Sequence, residues 1–161
     1  MHKTPSEVSS TLTILGRAEE LLESSEGCPL YMSPITAGTL QTGEANIEER
    51  LDLHAYCVSN PPATFFLRVE GDAMLTFGIH PGDLLIVDRS AEIHDGRIVI
   101  AVLNGELTVK RLQCRVKQIN GLEEQRIYCT CTNADSPEID ITHRESAYVW
   151  GVVTHVLHRV S

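Results

Sequence analysis

Two short segments of this 161-residue chain hold residue types that could do amide chemistry together. Gly71-Asp72-Ala73-Met74 is followed by Lys110, 37 residues beyond Ala73, inside Leu107-Thr-Val-Lys-Arg-Leu112. A lysine works as a general base near neutral pH only when its amine is uncharged, and burial achieves this by penalising the ammonium form. Strand alternation puts Thr108, Lys110 and Leu112 on one face, with Val109 and Arg111 on the other. If the Lys110 face turns inward the lysine is a candidate base; if outward it is a solvated cation. The Gly71–Met74 segment ends an apolar run, so it can form a turn that projects residue 73 and aims main-chain N–H groups at a substrate carbonyl, as an oxyanion hole does. Taken alone, those four residues are better accounted for by an ordinary Gly-Asp turn.

The surrounding pattern is β-rich. Thr64–Val69, Leu84–Asp88, Arg97–Leu103, Glu106–Leu112, Arg126–Thr132 and Tyr148–Val160 read as strands, and His80-Pro-Gly-Asp83 reads as a tight turn. Asn104-Gly105 between apolar runs predicts a two-residue hairpin, because both turn residues must take positive φ. The domain is expected to be mainly β, from about residue 46 to 161, behind an N-terminal arm of residues 1–45. Within the arm, Leu12, Leu15, Ala18 and Leu22 have helical spacing, which predicts a marginal amphipathic helix over 10–23, weakened by Gly16. Residues 24–45 are rich in Ser, Thr, Gly, Pro and Glu, the composition of a mobile arm with anchors at Pro29-Leu30-Tyr31 and Ile35. Residues 46–53 fit a short helix or an extended segment equally well.

Composition narrows the function classes. The chain is 42% hydrophobic and 22% charged, ordinary for a soluble globular protein, and no apolar run approaches the roughly 18 residues of a membrane span. The mixed polar N-terminus argues against a secretory signal. A formal net charge of −9 argues against a large phosphate-binding surface. Five cysteines, an odd number without framework spacing, fit reduced thiols in the cytoplasm. Cys129-Thr-Cys131 lacks the second ligand pair of a zinc site. His80, His94, His143, His155 and His158 show no ligand spacing, and Asp83 and Asp88 suit turn and strand-end caps better than a metal. No metal or other cofactor is expected.

Three longer stretches carry a resemblance. Phe-Phe-Leu-Arg-Val-Glu-Gly-Asp-Ala-Met (65–74), Gly-Ile-His-Pro-Gly-Asp-Leu-Leu-Ile-Val-Asp (78–88) and Gly-Arg-Ile-Val-Ile-Ala-Val-Leu-Asn-Gly-Glu-Leu-Thr-Val-Lys-Arg-Leu (96–112) resemble the LexA/UmuD-type self-cleaving serine peptidases. Val-Trp-Gly-Val-Val-Thr-His-Val (149–156) is similar to that family's closing strand, and the likeness runs from about Cys28 to the end. It implies a β-rich, LexA/signal-peptidase-like domain with a serine–lysine dyad carried onto position 73 and Lys110, with Asp72 and Met74 shaping the turn. It also implies self-cleavage between a small residue and a glycine, which Ala37-Gly38 supplies in the arm.

The family has serine where this chain has Ala73. A methyl has no proton to give and no lone pair to attack, so the chain as written should not cleave itself. An engineered Ser→Ala change would leave Lys110, the turn and Ala37-Gly38 intact, as they are. A natural pseudo-peptidase would more often have lost the lysine or the scissile pair as well.

The resemblance further implies a UmuD-like SOS mutagenesis protein. Filaments of RecA on DNA would stimulate its cleavage, and the shortened homodimer would join a UmuC-type error-prone polymerase in translesion synthesis, with no DNA binding of its own. The alternatives are a LexA-like transcriptional repressor and a natural pseudo-peptidase serving as an interaction module. A repressor needs a DNA-binding domain ahead of the cleavage site, and 37 residues precede Gly38. A signal peptidase of the same fold would need a membrane anchor.

Overall fold

The computed structural model describes residues 11–18, 28–31, 47–130 and 137–160. Its elements are β1 (Thr11–Arg17), β2 (Cys28–Tyr31), β3 (Ile47–Leu51), α1 (Leu53–Cys57), β4 (Thr64–Glu70), β5 (Leu84–Asp88), β6 (Ile98–Leu103), β7 (Glu106–Ile119), β8 (Leu122–Thr130), β9 (Ile139–Asp140) and β10 (Ala147–Leu157). Eight of the ten strands form one antiparallel sheet in the order β1-β4-β5-β10-β6-β7-β8-β9, and β2 pairs with β3 in a separate ribbon. The sheet curls, so that β1 at one edge also approaches β7. The mainly β expectation holds.

Both faces of the central strands bury apolar side chains. Leu67, Val69, Met74, Leu85, Val87, Ile100 and Val109 form one cluster. Val99, Ala101, Leu112, Cys129 and Val152 belong to a second, on the other face. This is why β6 reads as a continuous apolar run rather than an alternating one: Val99, Ile100 and Ala101 are all fully buried. Asn104 (φ 51°) and Gly105 (φ 82°) make the expected hairpin turn between β6 and β7.

Two features differ from the sequence reading, and a third resolves a choice it left open. The helix over 10–23 is absent where the chain is described: Thr11–Arg17 is a strand paired antiparallel with β4, from Thr11 opposite Glu70 to Arg17 opposite Phe65. The edge of β4 offers a row of N–H and C=O groups, and Thr11, Thr13 and Ile14 are β-branched. Ladder pairing therefore outweighs a weak helical periodicity, and the register shift between Ile14 and Gly16 absorbs the glycine. Residues 46–53 resolve into β3, then the start of α1, where the Asp52 carboxylate accepts the N–H groups of His54 (2.9 Å) and Ala55 (3.2 Å). The strand expected at 106–112 continues to Ile119, and a second Asn-Gly turn at 120–121 returns it as β8.

Candidate functional site

Residues 71–83 form an excursion from the end of β4 that is pinned at its base. The Gly82 N–H donates to the Val69 carbonyl (2.7 Å), and the Val69 N–H donates to that of Asp83 (3.0 Å). Inside it the chain bends at Gly71 (φ 96°) and then forms a short 3-10 turn over Leu75–Phe77. The N–H groups of Phe77 (3.0 Å) and Ile79 (3.2 Å) both donate to the Met74 carbonyl. Ala73 is buried at 8% exposure and Met74 at 1%, while Asp72 is exposed. Position 73 is thus held in a fixed turn whose anchor is the Met74 side chain in the first core cluster.

Lys110 lies in β7 opposite Val99 and is half-buried, between the two environments open to it from sequence. The register gives it the face of Val99 and Leu112, the second cluster's face. Its neighbours turn the other way. Val109 shares the first cluster with Met74, and the Arg111 guanidinium lies 5.3 Å from the centre of the Phe77 ring. The residues on either side of Lys110 therefore pack on the segment that follows Ala73. A shallow groove of about 190 Å³ adjoins them, lined by Asp95, Gly96, Arg111, Gln113, Cys114 and Arg115. Neither Ala73 nor Lys110 lines it.

Ala37 and Gly38 lie outside the described residues, in the connection between β2 and β3. A cut there would separate β1 and β2 from the rest of the chain. Leu12 packs against the first cluster, whereas Ile14 and Leu15 are 44% and 48% exposed; Leu21 and Leu22 lie outside the described residues.

Among the described residues, the partly buried thiols Cys57 and Cys114 are poor rival nucleophiles. Burial pushes Cys57 up, and burial with the nearby Asp95 carboxylate pushes Cys114 up, the opposite of what a reactive thiolate needs. Cys129 is buried in the second cluster, and Cys131 lies outside the described residues.

One group is invisible in the spacing. His80, Asp83 and His158 come together at the start of β5, with one ligand atom from each within 4.8 Å of the others. Asp83 is fully buried and caps its turn, as expected, accepting the His80 N–H at 2.8 Å. Its other oxygen lies 2.6 Å from His158 Nδ1. Burial alone would push the Asp83 carboxyl up; the His80 N–H, the hydrogen bond with His158 and the charge of both rings outweigh it and hold the group below its ordinary value. The signal was present in the pairing rather than in the sequence order. Leu157 sits opposite Leu84 in the β10–β5 ladder, so continuing the register brings 158 beside 83. Asp88 also caps as expected, accepting the Ser90 N–H at 2.7 Å.

Residues 29–154 match the family described as Peptidase S24-like. The chain is similar to Protein ImpA of Escherichia coli, 43% identical over 131 residues, 81% of this chain and 83% of the relative. It is 42% identical to Protein MucA of Salmonella typhimurium over 130 residues, 80% and 83% of the two chains. Protein SamA of Salmonella typhimurium is 36% identical over 148 residues, 92% and 96%.

Proposed function

The chain belongs to the Peptidase S24-like family, the LexA/UmuD-type family its sequence resembles, and from that premise we propose that it is a UmuD-like SOS mutagenesis protein in a cleavage-deficient, Ser-to-Ala form. The supporting observation is the family match over residues 29–154, within which Ala73 is buried in the turn after β4 and Lys110 is half-buried in β7.

With serine at 73, the Lys110 amine takes the hydroxyl proton as Oγ attacks the Ala37 carbonyl. N–H groups of the 71–74 turn stabilise the oxyanion, and the lysine returns the proton to the departing Gly38 nitrogen. Water then hydrolyses the ester. The dyad requires the amine within hydrogen-bond reach of the residue-73 side chain. In this reading filaments of RecA on DNA accelerate the step, and the product acts as a homodimer with a UmuC-type error-prone polymerase.

The test is Ala73→Ser. The variant should cleave slowly to a product spanning residues 38–161, faster at alkaline pH, with Ala73 and Ala73→Ser/Lys110→Ala chains intact. A folded Ala73→Ser chain that stays whole after long incubation at high pH refutes the dyad.

A further inference from the structure

We propose that His80, Asp83 and His158 form a site for a divalent first-row transition ion of the zinc type. The donor set fits such an ion: two imidazoles and one carboxylate are the ligands of many three-residue zinc sites that leave one position open, whereas calcium and magnesium take oxygen ligands. The geometry is close to what coordination needs. Ligand atoms around a tetrahedral zinc stand about 3.4 Å apart, as bond lengths of about 2.0–2.1 Å require. Here His158 Nδ1 is 2.6 Å and His80 Nδ1 is 3.8 Å from the Asp83 oxygens, and the two rings lie 4.6 Å apart. Both imidazoles are about half exposed, so small rotations of each bring three donors onto one ion that solvent can deliver.

Asp83 is built to be the fixed ligand. Its carboxylate is buried and oriented by the His80 N–H on one oxygen, which can persist as an outer-shell bond while the other oxygen exchanges His158 for the metal. A metal there would tie the end of β10 to the 80–83 turn. That turn closes the base of the 71–83 excursion through Gly82 and Val69, so the ion would also stiffen the segment carrying Ala73. None of this depends on self-cleavage.

The experiment uses the full chain, stripped with a chelator, titrated with zinc alone by calorimetry and with cobalt by visible absorption. Zinc should bind one equivalent per chain and raise the melting temperature. His80→Ala and His158→Ala, each checked for an intact fold by circular dichroism, should weaken binding at least tenfold and abolish the thermal shift. Cobalt should give ligand-field bands of a low-coordinate nitrogen–oxygen site in the parent only. No binding at micromolar zinc, or one equivalent held equally well by both folded variants, overturns the proposal.

Discussion

Gly151 sits in β10 between β5 and β6, and its missing side chain is a packing requirement rather than a turn requirement. A Cβ placed there would lie 2.6 Å from Val87 Cγ1, with Arg89 Cγ at 3.4 Å and the Asp88 carbonyl at 3.5 Å. Val87 is fully buried in the first cluster and β-branched, so it has little freedom to step aside. Arg89 is held too, its Nε donating to the Trp150 carbonyl at 3.1 Å and its guanidinium 4.7 Å from the Trp150 ring. Gly151→Ala should therefore destabilise the domain by about 1–3 kcal/mol, the usual cost of overpacking. For a chain of this size that is a fall of roughly 2–12 °C in melting temperature. Val87→Ala alone should cost about 2 kcal/mol through two lost methyl groups and a cavity. The double variant should lose less than the sum, because the smaller side chain makes room for the new methyl. Calorimetric melting of the four chains reads the cycle. A Gly151→Ala protein melting with the parent, or strictly additive losses, would show that the 2.6 Å approach is relieved by backbone movement and that the strand is not held as described.

Glu124 is held below its ordinary value chiefly by the hydrogen bond with His143, Glu138 by that with Arg115, and Asp140 by the Thr142 hydroxyl. Folded values lower than unfolded ones contribute stability that is present above about pH 4, the unfolded carboxylate range, and lost as pH falls through the folded values. Urea midpoints should drop on acidification, and Arg115→Met should make that drop shallower by returning Glu138 towards its ordinary value; identical acid limbs in the two chains would contradict the assignment. Deleting residues 1–18 should remove β1 and expose the edge of β4, so hydrogen exchange should accelerate at those amides of residues 65–70 that β1 pairs, leaving β5–β10 protected. Unchanged exchange in β4 would mean that β1 does not cover that edge in solution.

The strands that could be read from sequence are those whose burial is decided locally. Leu84–Asp88 and Ile98–Leu103 are central and apolar on both faces, and Asn104-Gly105 fixes its turn by backbone chemistry alone. β1 was missed because it owes its form to β4, whose paired residues lie 48 to 59 positions further along the chain, and its own Leu spacing favours the wrong period. The outer half of β7 was missed for a different reason. Gln113-Cys-Arg-Val-Lys-Gln118 is mostly polar, Val116 is 66% exposed, and pairing with β8 rather than burial holds it. At the candidate site, the turn and the strand were legible as separate pieces. Their packing through Val109, Met74, Arg111 and Phe77 was not, nor was the meeting of His80 with His158, because both depend on the register of strands far apart in sequence.

β1 gives the proposed cleavage a physical consequence. It supplies the edge strand of the eight-stranded sheet, with Leu12 packed on the core and Ile14 and Leu15 left half exposed. This seven-residue strand is held by its ladder to β4, by Leu12 on the core and by the buried Ala18 that follows it, together with its covalent connection to the domain. Cutting at Ala37-Gly38 would remove that connection and turn intramolecular pairing into a bimolecular one, which short strands seldom sustain. The freed β4 edge would then offer its N–H and C=O row to another chain, the mode by which extended segments add to sheets. The net charge of −9 suits such a protein-facing role better than contact with phosphates. If the proposed cleavage occurs, the arm would occupy beforehand the edge that a partner would take afterwards, and a chain with Ala73 would keep that edge covered.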